Sequence, residues 1–246
     1  MSKLPNAPLL EVIFELSWVA NNSKEQEKFQ FLLGDMYTQL KDKYPLRLNL
    51  VNVPVAGIEI PLDLLINKPV YRFRKDENSY PIYQLGPGLL SVNTINELYI
   101  WEDFEQEILD VFTKFKESYD FGSSSSFNIA LKFLDFYVFD FNNNAYDFLK
   151  NNLHLQITHS MQSEKHNPSF VNFATGHNIE GIGQFNFSIN RGVIQQRGEG
   201  FLVETNLVNN VMLDSTGNIS SWLKSAHEYL SAVFKDMTKG NMYNSF

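Results

Sequence analysis

The chain has 246 residues, of which 43% are hydrophobic and 14% aromatic, and this composition argues against an intrinsically disordered chain. Lys and Arg total 20 against 28 Asp and Glu, so the formal net charge is −8. Both halves are acidic, which argues against nucleic-acid binding because a phosphate backbone attracts clustered basic residues. The absence of cysteine excludes disulfides, thiolate catalysis and cysteine-based zinc sites.

No stretch of the sequence predicts a targeting signal or a membrane span. The N-terminal apolar run is interrupted by Glu11 and Glu15, and no small-residue cleavage site follows it. No segment approaches the roughly 20 apolar residues of a membrane-spanning helix. We therefore expect a soluble, cytoplasmic protein.

The first elements of the chain are a strand and a helix. Strict alternation predicts the strand at residues 9–18, with Val12, Phe14 and Leu16 on its buried side. An apolar stripe at steps of three or four predicts the helix over residues 23–44, which Pro45 terminates. The residues of this stripe are Phe29, Leu32, Leu33, Met36, Leu40 and Tyr44, and Ser23 with Gln26 has the spacing of a capping box.

Short extended runs and a second helix complete the first half. The runs are predicted at 47–51, 56–60, 70–74, 80–85 and 89–95. Hairpin turns are predicted at 76–79 and 86–88, so these runs indicate an antiparallel meander. The helix begins at Trp101, with Glu102, Asp103, Glu107 and Asp110 on its outer side. Gly122 and Ser123–Ser126 then form a low-complexity stretch that we interpret as a linker.

The second half repeats this order. A long strand is predicted at 127–141, followed by a short helix with the sequence AYDFLKN. Further strands are predicted at 153–159, 169–174, 182–190, 192–197 and 201–208. A last helix is predicted over Ser220–Met237. Its apolar positions match those of the Trp101 helix at an offset of 122 residues, since Trp101, Phe104, Ile108, Val111, Phe112 and Phe115 correspond to Leu223, Ala226, Leu230, Val233, Phe234 and Met237.

The two halves, 1–122 and 123–246, therefore predict an α+β fold made of two pseudo-repeats, each with the order strand, helix, four or so strands, helix. We expect them to form one integrated domain in which helices back a shared antiparallel sheet. This duplicated β-α-β4-α unit resembles the fold of the TATA-binding protein. A helix-grip fold, with a sheet wrapped around one long helix, is the alternative.

Three segments carry a further resemblance: APLLEVIFELSW near the N-terminus, YPIYQLGPGLLSVNT in the first half and AHEYLSAVF in the last helix. They resemble a sporadically distributed, functionally uncharacterised prokaryotic family of similar length. The resemblance implies no catalytic residues. The patchy distribution of the family is consistent with an accessory role, such as antiviral defence or a toxin-antidote system.

No catalytic, cofactor or metal motif stands out. His154 and His159 are five residues apart on a predicted strand, so they point to opposite faces and do not predict a shared metal. The glycine pattern of residues 181–186 lacks both a third glycine and a following helix, which excludes a dinucleotide loop. Ser160 and Ser188 lack the context of a nucleophile elbow. We predict no cofactor and no metal, and the sequence argues against an enzyme without deciding the question.

One face of the predicted second sheet is rich in uncharged polar side chains. Such a face offers many hydrogen-bond donors and acceptors with little charge to desolvate, so it is a candidate recognition surface. A plain solvated sheet face is the alternative interpretation. The candidate residues are His154, Gln156, Asn172, Gln184, Asn186, Ser188, Asn190 and Asn206.

Arg72 and Arg74 form a second candidate site in the first half. They are two residues apart on a predicted strand and therefore project from the same side. Together they could bind a carboxylate or phosphate, or they could pair with Glu11 and Glu15 across the sheet.

These observations favour a non-catalytic interaction or regulatory module that works with a protein partner or as a homo-oligomer. Two alternatives remain open. One is a small-ligand-binding domain with an apolar cavity between sheet and helices. The other is nucleic-acid binding across a curved sheet, which the acidic charge opposes.

Overall fold

The fold is α+β, with a large antiparallel sheet and five α-helices among the described residues. The computed structural model describes residues 4–20, 23–51, 60–121, 125–158, 168 and 170–246, apart from the side chains of Ser23, Gln26 and Leu62. The strands are β1 (Leu9–Trp18), β2 (Leu46–Asn49), β3 (Tyr71–Arg74), β4 (Ile82–Gly86), β5 (Leu89–Ile95), β6 (Ser125–Val138), β7 (Asn172–Ile179), β8 (Gly183–Ile194) and β9 (Gly198–Leu213). The helices are α1 (Ser23–Leu40), α2 (Trp101–Ser118), α3 (Ala145–Asn152), α4 (Ser220–Thr238) and α5 (Asn241–Asn244), with short 3-10 helices at Leu62–Leu65 and Asn96–Leu98.

The strands of the described residues form one sheet in the order β2-β3-β4-β5-β1-β6-β9-β8-β7. From β1 outward the order runs through β5 to β2, and from β6 outward it runs through β9 to β7. The α+β class is confirmed, whereas the origin of the chain as two pseudo-repeats stays a prediction. In the described part of the chain, four strands lie between α1 and α2, and three lie between α3 and α4.

The predictions for the first half agree closely with the structure. β1, β5 and the start of α2 have the predicted bounds, and the apolar stripe of α1 is buried along its whole length. The helix itself ends at Leu40, and residues 41–43 form a turn before Pro45. The strand predicted at 56–60 lies outside the described residues, apart from Ile60. The side chains of Ser23 and Gln26, which would form the predicted capping box, are not among the described side chains.

Three predictions for the second half are wrong. Residues 154–158 do not form a strand, because the backbone N–H of Leu155 bonds to the carbonyl of Leu149 at the end of α3. The two strands predicted at 182–190 and 192–197 are a single strand, β8. Ser125 and Ser126 belong to β6 rather than to a linker, whose other residues lie outside the described chain.

Two compact units make up the chain. The first unit comprises residues 12–131 and 208–223, and the second comprises residues 1–11, 132–207 and 224–246. Their boundaries fall within β1, β6, β9 and α4, so the units differ in composition from the halves 1–122 and 123–246.

In the first unit, α1 and α2 pack on one face of the strands. The ring of Phe29 on α1 lies 6.4 Å from that of Tyr71 on β3, and the ring of Phe115 on α2 lies 5.2 Å from that of Trp18 on β1. Both helices thus cover the face to which the odd-numbered residues of β3 and β4 point, because Phe73 pairs with Tyr83 and both are fully buried.

In the second unit, aromatic residues build the core. Phe201 of β9 is fully buried and stacks with Phe139 at 5.1 Å and with Phe148 of α3 at 5.5 Å. Ile189 of β8 belongs to the same cluster, and Phe246 packs against it. The core of this unit therefore lies between the odd-numbered face of β8 and β9 and the helices α3, α4 and α5.

Candidate functional site

Five of the predicted surface residues share one face of the β7–β8 hairpin. In its antiparallel register, Asn172 lies opposite Asn190 and Asn178 lies opposite Gln184. Directly opposed residues point to the same side of a sheet. The complete set of same-face pairs is Asn172–Asn190, Ala174–Ser188, Gly176–Asn186 and Asn178–Gln184. We call these eight residues the amide face.

The other face of the same hairpin packs into the core. Phe173 and Phe187 are packed against the core cluster of the second unit, and Ile189 is a fully buried member of it. The ring of Phe185 lies 5.5 Å from that of Tyr229 on α4. One side of this two-stranded hairpin therefore packs against the core and α4, and the amide face is the opposite side.

Small residues on β7 make room for the amides of β8. A Cβ atom at Gly176 would lie 3.1 Å from Asn186 Oδ1 and 3.2 Å from Gln184 Nε2, which is closer than most real Cβ contacts. These two amides bond to each other, since Gln184 Nε2 donates to Asn186 Oδ1 at 3.1 Å. The amide face is accessible, because Asn172, Asn178 and Gln184 are exposed, and Asn186 is half-exposed.

β9 extends this face by one strand. A Cβ atom at Gly192 of β8 would lie 3.5 Å from the Cβ of Leu202 of β9. Leu202 and the other even-numbered residues of β9 therefore point to the same side as the even-numbered residues of β8 that belong to the amide face. Asn206 is one of these β9 residues. Its Oδ1 is buried and has no hydrogen-bond partner among the described residues.

Two predicted residues do not join the amide face. His154 lies in the irregular segment after α3, has a φ angle of 50°, and places its Nε2 2.9 Å from the carbonyl oxygen of Lys239. Gln156 is exposed in the same irregular segment. Both residues were predicted to lie on a strand beside β8. Residues 154–158 do not form a strand, so His154 and Gln156 are not part of the sheet face.

Asn178 is the polar residue of this face that the sequence prediction missed. The strand was predicted to end at residue 174, whereas β7 continues to Ile179. The sequence does contain a pattern that predicts the longer strand. The small or polar residues Asn172, Ala174, Gly176 and Asn178 alternate with Phe173, Thr175 and His177.

Arg72 and Arg74 lie on the side of β3 that faces away from α1. Arg72 pairs with Gln84 of β4, and its neighbours Tyr71 and Phe73 point towards the helices. The side-chain amide of Gln84 is oriented so that its oxygen and its nitrogen both have partners. In this orientation Gln84 Oε1 accepts hydrogen bonds from Arg72 Nε at 3.1 Å and Arg72 Nη2 at 2.9 Å. β4 and β5 lie between β3 and β1 in the sheet, so Arg72 contacts a neutral amide and not Glu15 of β1.

A carboxylate with two phenol partners lies elsewhere in the first unit. Glu107 Oε2 of α2 accepts hydrogen bonds from the hydroxyls of Tyr83 and Tyr44, and Lys43 Nζ lies 2.6 Å from Oε1. Burial raises the pKa of Tyr83, and the neighbouring Tyr44 and Glu107 raise it further, so the phenol stays a proton donor. This cluster links α2 to β4 and to the turn after α1.

Removing one phenol from this cluster tests its structural role. Tyr83→Phe is expected to lower the free energy of unfolding by about 1–2 kcal/mol, because a buried hydrogen bond to a carboxylate is lost without creating a cavity. Urea unfolding measures the change. Tyr80→Phe in the same β3–β4 ribbon is the control, and an equal effect of both substitutions would contradict the assigned bond.

Asp135 of β6 is the most unusual titratable group. It is 4% exposed on the strand face that also carries Phe133 and Tyr137, and burial raises the pKa of its carboxyl to about 7. The hydroxyl of Tyr137 is buried without a hydrogen-bond partner among the described residues. The signal in the sequence was a single acid on the apolar side of a strand, which strict alternation places in the core.

The described residues contain no group of three or more His, Asp and Glu side chains that could hold a metal ion. His159 and His166 lie outside the described residues, and His177 lies within β7. In the same part of the chain, no helix has the length and apolarity needed to cross a membrane.

Comparison of the chain with protein-family models, curated proteins and solved structures found no match.

Proposed function

We propose that the chain is a non-catalytic interaction module that binds a protein partner through the amide face and the adjoining part of β9. The observation that carries the proposal is the β7–β8 register, which brings amide and hydroxyl groups together on the side of the hairpin away from the core. The centre of a protein interface is depleted in charged residues, as this face is. Its amides supply both donors and acceptors.

The size of the face sets a requirement for the partner. Strands lie about 4.8 Å apart and same-side residues about 6.7 Å apart, so eight positions cover roughly 250 Å². A stable interface takes about 800 Å² from each partner. The partner must therefore extend beyond the hairpin. β9 is the adjacent surface in the sheet, and its even-numbered residues, Asn206 among them, lie on the same side as the amide face.

A small-ligand site in an apolar cavity has less support. A cleft of about 430 Å³ lies along α1 and the end of α2, but five of its nine lining residues are charged. Lys24, Lys28 and Asp120 are among these residues, and Phe31 is its most exposed apolar group. This lining differs from the mainly apolar walls of typical ligand pockets.

The test introduces charge at the centre of the amide face. The double variant Asn186→Lys and Asn190→Lys places two ammonium groups where a partner would exclude water, and burying an unpaired charge costs several kcal/mol. We expect binding of a partner to weaken by about hundredfold or more. The measurement is affinity capture from cells that make the chain, followed by titration of the captured protein.

The matched control is Asn151→Lys with Asn241→Lys, which adds the same charge at exposed positions outside the face. The same partner should bind the wild type and the control, and circular dichroism should show both double variants folded. A partner that binds the amide-face variant with unchanged affinity would contradict the proposal. Failure of the wild type to capture any specific protein would do so as well.

A further inference from the structure

Two arginines project from one side of β3 near an edge of the described sheet. Arg72 lies opposite Leu48 and Arg74 opposite Leu46 on the terminal strand β2. Tyr71 and Phe73 point to the other side, where α1 packs. Both arginines are half-exposed, so solvent and solutes reach them.

Buried neutral groups hold the guanidinium of Arg72 in place. Gln84 accepts from its Nε and Nη2, and the other end of this amide lies 3.3 Å from Ser91 Oγ. Ser91 Oγ donates in turn to Asn93 Oδ1 at 3.0 Å. Gln84, Ser91 and Asn93 are all buried, so this chain of hydrogen bonds fixes Arg72 without neutralising its charge.

Neutral groups also hold Arg74. Its Nη1 donates to the backbone carbonyl of Glu77, and its guanidinium lies 5.5 Å from the ring centroid of Tyr80. The Nε of Arg74 is buried and has no acceptor among the described residues. These contacts hold the Arg74 guanidinium in place without neutralising its charge.

No carboxylate of the described residues forms an ion pair with either arginine. This is unusual in a chain in which acidic residues outnumber basic ones by 28 to 20. The guanidinium carries five N–H donors in a planar fork that suits carboxylate and phosphate oxygens. Arg72 gives only two N–H groups to Gln84 and keeps the others.

The geometry points to a binding site for a small oxyanion, a phosphate or a carboxylate group, between Arg72 and Arg74. Their Cα atoms lie about 6.7 Å apart on an extended strand, so two side chains that project the same way reach one tetrahedral or planar anion. This site belongs to the first unit and does not depend on the amide face.

The experiment is isothermal titration of the full chain with inorganic phosphate and, separately, with citrate, at an ionic strength held constant with sodium chloride. We expect saturable binding of at least one of the two anions. Arg72→Gln should weaken it by about tenfold or more, because charge-assisted hydrogen bonds are lost. Arg47→Gln is the matched control, since Arg47 lies on the adjacent strand and points to the opposite side, towards the rings of Tyr37 and Tyr71.

A second measurement is independent of the folding of the variants. The Nε–H resonances of Arg72 and Arg74 in the wild type should shift on titration with the bound anion, whereas that of Arg191, which pairs with Glu199, should not. Binding of phosphate alone assigns a phosphoryl ligand, and binding of citrate alone assigns a carboxylate ligand. Absence of saturable binding of both anions overturns the proposal, as does an equal effect of Arg72→Gln and Arg47→Gln.

Discussion

Phe115→Ala is expected to lower the free energy of unfolding by about 3–5 kcal/mol, the usual loss when a buried phenylalanine is truncated to alanine. Phe115 is fully buried on α2. Its ring lies 5.2 Å from Trp18, 5.1 Å from Tyr119, 6.0 Å from Phe121 and 6.0 Å from Phe127. A cavity at this point removes contacts from β1, from β6 and from the segment that follows α2.

Equilibrium unfolding in urea, followed by tryptophan fluorescence, measures this loss directly, because Trp18 is itself a neighbour of the cavity. Phe31→Ala is the matched control, since Phe31 is 74% exposed on α1 and its truncation should change stability by no more than about 0.5 kcal/mol. A loss below about 1 kcal/mol for Phe115→Ala would show that the aromatic cluster contributes little to the core.

Asp135→Asn is expected to change how stability depends on pH. Burial raises the pKa of Asp135 from 3.8 to about 7, so the folded chain holds a proton that the unfolded chain releases between these values. The contribution of this group to stability is fully present below pH 3.8 and is lost as the pH rises through about 7. The asparagine variant carries no titrating group there and avoids this loss.

The stability of the variant relative to the wild type should therefore increase by about 4 kcal/mol between pH 4 and pH 8. Urea unfolding at several pH values gives the difference, in which the titration of other groups cancels. Asp236→Asn, an exposed acid on α4, is the control and should show no comparable trend. A difference independent of pH would mean that Asp135 is already ionised in the folded chain at pH 4.

Patterns that are local in sequence predicted α1 to α4 and most strands, but not the short α5. The face of α2 required only a period of three or four residues, and Phe104, Ile108 and Phe115 are buried on it. Alternation likewise predicted β1. Alternation was misleading for the strand predicted at 153–159. Leu155 and Ile157 do pack against the core cluster, but the described residues of this segment do not form a strand. Gly192 belongs to a continuous β8, where its missing side chain leaves space near Leu202 and Phe136.

The candidate sites were predictable to different degrees. Alternation placed Gln184, Asn186, Ser188 and Asn190 on one side of a strand, but the opposition of Asn178 to Gln184 depends on register, which two separate segments determine. The bond between Arg72 and Gln84 depends on the same kind of information. The burial of Asp135 required knowledge of the neighbouring strands and helices, which no local pattern contains.

The division of the chain between two units has a consequence during synthesis. Residues 12–131 of the first unit emerge from the ribosome before residues 208–223, which complete it. At about 5–20 residues per second, the intervening 132–207 segment delays completion by roughly 4–15 s. Throughout this interval β6 lacks β9, its neighbour in the sheet. The nascent chain therefore presents an open strand edge for several seconds before β9 can cover it.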